Sequence, residues 1–165
     1  MATLTKLESK LAEVTGLAMA AQDAVGQVRG MLEDEHEALD GRLAQAADEA
    51  RETQERCTEL AGSFDGKKTA ILDQARETKQ EATEMMETYL GGEADALDGF
   101  EFLTMAEAGE VGHWEIVGVL ADRAGHAETR SLVEWALPIQ QRHFEEARSG
   151  SLRLAAQEDP NETSG

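Results

Sequence analysis

Four side chains late in the chain have types and spacing suited to chemistry: Glu107, Glu110, Gln140 and His143. Glu107 and Glu110 are three residues apart, so on a helix they share a face with Leu103 and Trp114. A carboxylate in an apolar stripe needs a partner, because buried charges are costly unless paired or bound to metal. Gln140 and His143 repeat the three-residue spacing on the following helix, in line with Val133, Ala136 and Ala147. Packed antiparallel about a turn at Gly125, the two helices would bring both pairs to similar distances from that turn. Carboxylate and imidazole donors suit iron or manganese, and open coordination positions would admit oxygen or peroxide chemistry.

The elements that must position these groups all read as helices. Aromatic residues are scarce, Ala, Leu, Glu, Gln and Met are plentiful, and the only prolines are Pro138 and Pro160. That balance disfavours strands, which prefer β-branched and aromatic side chains. Apolar residues recur at alternating three and four positions from Leu4 to Leu32, predicting a first helix weakened by Gly16, Gly26 and Gly30. A turn is expected at Leu39-Asp40-Gly41, then a second helix over 42–61 and a loop over 62–66. A more polar helix over 67–90 ends at Gly91-Gly92, and Asp95 or Asp98 is expected to cap the next. The last two helices, over 98–124 and 127–148, carry the four residues above. Pro138 removes one backbone donor from the second of these. One domain over 1–150 is expected, followed by a flexible acidic tail over 151–165.

With 34 acidic and 15 basic residues, the formal charge is −19. Nucleic acid and anionic membrane are therefore not expected partners, since both require a basic face. A lone cysteine, Cys57, permits no intrachain disulfide, and neither a signal peptide nor an apolar run of membrane-spanning length is evident. A cytoplasmic location is the expectation. No phosphate-binding glycine loop, Ser/His/Asp arrangement or zinc-type cysteine cluster occurs.

The runs Ala106-Glu107-Ala108-Gly109-Glu110-Val111-Gly112-His113-Trp114-Glu115-Ile116 and Leu132-Val133-Glu134-Trp135-Ala136-Leu137-Pro138-Ile139-Gln140-Gln141-Arg142-His143 resemble the third and fourth bundle helices of ferritin-like proteins. The resemblance is nearest to the small bacterial YciE/YciF-type stress-associated proteins and more distant to rubrerythrins. Weaker likeness extends to Arg51–Leu60 and Phe64 as the second helix, and to Met19–Asp23 as the place of the first-helix ligand. It implies an all-α, ferritin-like four-helix bundle with an additional helix. Such bundles hold two metal ions with a Glu from each of two helices and a Glu-x-x-His pair from each of the others.

Carried over residue by residue, the resemblance makes Glu110 the third-helix ligand, Glu107 an extra one, His143 the fourth-helix histidine and Glu52 the second-helix donor. Three departures alter the pattern. Gln140 replaces a glutamate, Gln22 stands at the first-helix glutamate position, and Arg56 stands about where a second-helix histidine often lies. A neutral amide lacks the charge that helps hold a divalent ion, and an arginine would neutralise nearby carboxylates directly. Two expectations follow. One is an altered site of Glu52, Glu107, Glu110, Gln140 and His143 that binds iron or manganese in a stress-related role. The other is a metal-free helical scaffold or self-association module, with Glu110 paired to Arg56. The long apolar first helix suggests a homodimer or higher oligomer.

His113, three residues after Glu110, is a further candidate ligand or a donor that orients a carboxylate. Glu33 and His36 also read Glu-x-x-His, but their polar surroundings favour a solvated helix end. Trp114, Trp135 and Cys57 are expected to be packing residues.

Overall fold

The computed structural model describes residues 2–163. Five α-helices make up the fold, and no strand occurs among the described residues: α1 (Lys6–Arg29), α2 (Glu37–Ala61), α3 (Lys68–Leu90), α4 (Ala96–Ala124) and α5 (Ala127–Ala155). Local chemistry sets their ends. Thr5 and Glu8 form a reciprocal capping box at the start of α1, and Asp95 and Asp98 form another at α4. Each cap satisfies backbone donors that would otherwise be orphaned and contributes about 1 kcal/mol. Gly125 ends α4 with φ 66°, a left-handed conformation that an L side chain would strain.

The turn between α1 and α2 does not fall at Leu39–Gly41. The chain turns at Gly30–Glu33, makes one 3-10 turn at Asp34–His36, and enters α2 at Glu37. Leu39 and Leu43 are buried against Val25 and Val28 of α1, and this packing draws the helix through Gly41, whose surroundings are open. An ion pair between Arg29 and Asp40, 2.8 Å apart, ties the two ends. Glu33 and His36 lie in this connection, with Glu33 exposed. At the other terminus α5 runs past the boundary expected at residue 150, to Ala155, because Leu154 is buried in the same cluster.

Four helices are arranged as a ring in which α1 packs on α2, α2 on α5, α5 on α4 and α4 on α1. Facing pairs give the directions. Gly99 lies by Val28 and His113 by Glu13, so α1 and α4 are antiparallel. Glu49 meets His143, and Arg56 covers Trp135, so α2 and α5 are antiparallel too. The remaining helix, α3, lies on α1 and runs parallel to it, with Lys67 near Glu8, Lys79 near Asp23 and Gln27 near the carbonyl of Leu90. It carries the chain from one end of the ring to the other. Contact between α1 and α3 is close at Gly16, where an added Cβ would sit 2.7 Å from Thr78 Cβ. Two large apolar side chains of α3, Met85 and Tyr89, remain exposed. The surplus apolar length of α1, read from the sequence as a sign of association, is covered within the chain by α3.

The core holds two large apolar layers and a smaller cluster of Ala12, Ala61 and Ile71 where α3 meets α1 and α2. One layer gathers Val25, Val28, Leu43, Phe100 and Leu103. The other gathers Leu11, Val14, Cys57, Trp114 and Val117. Trp114 is fully buried, and Trp135 packs at the edge of the second layer. Cys57 is fully buried and its thiol is pushed up to about 12 by burial. Among the described residues no helix is long and apolar enough to cross a membrane.

Candidate functional site

Between the two apolar layers lies a polar one. On α4, Glu107 and Glu110 fall after Leu103 and before Trp114; on α5, Gln140 and His143 fall after Ala136 and before Ala147. All four are buried, at 4%, 7%, 6% and 6% exposure. The three-residue spacing and the antiparallel hairpin about Gly125 bring the pairs together as the sequence predicted.

Their partners differ from a ligand set. The Gln140 amide donates a hydrogen bond to Glu107 Oε2. His143 Nε2 lies 3.2 Å from Glu49 Oε1 on α2, and the Arg142 guanidinium donates to the other Glu49 oxygen. Partial burial pushes Glu49 up, but hydrogen bonds and charge from Arg142 and His143 outweigh it and hold the carboxyl below its ordinary range. Glu107 is pushed up by burial, with the His143 charge and the Gln140 hydrogen bond opposing. Glu110 is raised well above the ordinary carboxylate value by burial, and the neighbouring Glu107 adds to the effect. Among the described residues Glu110 has no hydrogen-bond or ion-pair partner.

Two sequence expectations fail here. Glu52 is exposed and bonds Arg56 on its own helix, 3.0 Å away, so it is not part of the site. Arg56 is exposed as well and lies 4.1 Å over the Trp135 ring, so it does not pair with Glu110. Gln22 donates to Gln54, 2.6 Å away, outside the buried layer. His113 lies 3.5 Å from Glu13 of α1, not on Glu110. The residue that reaches the layer from α2 is Glu49. A signal for it existed, since Ala46, Glu49 and Thr53 follow the same three-four spacing as Ala46, Ala50 and Thr53.

The donor set does not fit a di-metal centre. Of the expected donors, His143 is engaged by Glu49, Glu107 by a neutral amide, and Glu52 is in solvent. No group of three or more His, Cys, Asp or Glu side chains among the described residues is placed to hold a metal ion. What remains chemically available is the Glu107–Glu110 pair, which also lines an open groove of about 690 Å³ between α1, α3 and α4. Compared with family models, curated proteins and solved structures, the chain matches none.

Proposed function

We propose that the chain is a ferritin-like helical protein whose carboxylate site has become a polar core layer, and that it works as a metal-free binding and association module. Two antiparallel hairpins joined by one long crossover support the ferritin-like reading, since that connection is the one ferritin-like bundles use. The observation that carries the loss of the metal centre is the internal pairing of its donors: Gln140 on Glu107, and His143 with Arg142 on Glu49. A fixed guanidinium on one carboxylate and an amide on another leave too little negative charge for two divalent ions. Self-association as a homodimer belongs to this reading through Ile116 and Val119, which are exposed and three apart on α4. Val119→Glu is expected to sediment as a monomer where the parent chain is a dimer.

A second reading has its own support. Glu110 is buried beside Glu107 without a counter-charge, an arrangement that a single iron or manganese ion would relieve. In it Glu107 and Glu110 would hold the ion, which would supply the oxygen or peroxide chemistry of a stress-related role. Metal analysis of protein purified from iron- and manganese-supplemented medium separates the two. Substoichiometric metal, unchanged in Glu110→Ala, is expected. Stoichiometric metal that disappears in Glu110→Ala and His143→Ala would overturn the metal-free reading.

A further inference from the structure

The groove between α1, α3 and α4 exists because α3 packs closely on α1 near Gly16 yet touches α4 little. It follows α1 from Lys10 to Ala24, about 21 Å at 1.5 Å per residue. Its walls are apolar: Leu17 and Ala21 from α1, Ala82 and Met86 from α3, Phe102 and Met105 from α4. At about 690 Å³ it lies within the range of small-ligand sites, which combine apolar walls with a few convergent polar groups. Here those groups are Glu107 and Glu110.

Three observations define the chemistry of an occupant. Glu110 is 93% removed from solvent, lines the groove and has no polar partner among the described residues. The edge of the groove is acidic, with Glu13, Glu77 and Glu81; its one lysine, Lys10, is paired with Glu13 at 3.0 Å, and His113 lies beside the same carboxylate. An apolar channel leads away from the buried pair. Anions are repelled by such a site, and a bare divalent ion would gain nothing from the channel. An organic cation with a hydrocarbon tail satisfies both parts.

We propose that the groove binds a linear aliphatic ammonium ion, its head between Glu107 and Glu110 and its chain along the apolar walls of α1, α3 and α4. The head supplies Glu110 with the charge and hydrogen-bond donors that the fold does not. This deepens the reading of the chain as a metal-free binding module and rests on it; metal content and ammonium binding are measured separately, so either can fail without the other.

The test is calorimetric titration of the full chain, in chelator-treated buffer, with hexyl-, octyl- and decylammonium chloride below their micelle concentrations. One site per chain is expected, with affinity rising about fourfold per added methylene. Glu110→Gln, close to isosteric, should weaken octylammonium by roughly tenfold or more through the lost charge-assisted contact. Ala82→Trp, which fills the channel from its α3 wall, should abolish binding, and Glu52→Gln should leave it unchanged. Octanoate and octanol should bind far more weakly. Absence of binding at millimolar octylammonium overturns the proposal. So does equal affinity for octanol, or affinity unaffected by both Glu110→Gln and Ala82→Trp. Should circular dichroism show Glu110→Gln to be unfolded, Ala82→Trp decides.

Discussion

Glu49 and Glu110 are both carboxylates turned toward a helix seam, and they occupy opposite electrostatic situations. Glu49 bridges α2 to α5 with a guanidinium on one oxygen and an imidazole on the other, and its side chain keeps 18% of its exposure. Glu110, as deep as Leu7 or Leu132, faces a groove with a second carboxylate beside it. One residue joins helices; the other costs stability to keep. Burial alone therefore does not identify a structural charge; the partner does, and a buried carboxylate lacking one marks a place where stability was traded for something else.

The contrast can be broken most severely at Glu49. Glu49→Ala leaves His143 buried without its acceptor and frees Arg142, and a loss of about 2 kcal/mol in urea unfolding is expected. Glu110→Gln should act in the other direction and add about 1–2 kcal/mol at neutral pH, because an uncompensated charge is removed.

The pH dependence sharpens the same comparison. Folded Glu107 and Glu110 hold protons that the unfolded chain releases at ordinary carboxylate pH. Their contribution to stability therefore falls as pH rises from the ordinary carboxylate range toward their raised values. Glu49, held low in the folded chain, contributes stability above the ordinary range and loses it as pH falls through its lowered value. Urea midpoints measured from below the ordinary carboxylate range up to neutral pH should lose the upper slope in Glu107→Gln/Glu110→Gln and the lower, acidic one in Glu49→Gln. Glu52→Ala, an exposed change, should stay within about 0.5 kcal/mol of the parent chain at every pH.

Much of this was legible in the sequence, for identifiable reasons. Five helices, the Asp95 cap and the Gly125 stop follow from apolar period and cap chemistry, both local properties. Glu107, Glu110, Gln140 and His143 could be read as buried because large residues such as Leu103 and Trp114 fix the inward face. Around Glu49 and Glu52 the inward face of α2 is marked only by the small residues Ala46, Ala50 and Thr53, which fit at several rotations about the helix axis. The spacing admitted Glu49, but with no large residue beside it the pattern did not decide between Glu49 and Glu52. The turn at Gly30 was missed for a related reason: Gly41 looked like a stop, but Leu39 and Leu43 have more to gain from burial than a glycine costs a helix. How helices share their partners is not local, so the covering of α1 by α3, and with it the groove, was not visible in the pattern.

Cys57 gives the molecule an internal clock. A sulfhydryl that is sealed in the second apolar layer and kept protonated cannot meet a thiol-reactive dye until α2 lifts from its neighbours. Dye uptake in native buffer should therefore be slow, follow the opening of that seam, and quicken with small additions of urea. A single chemical handle, already encoded in the chain, would time the breathing of the apolar layer built around Trp114.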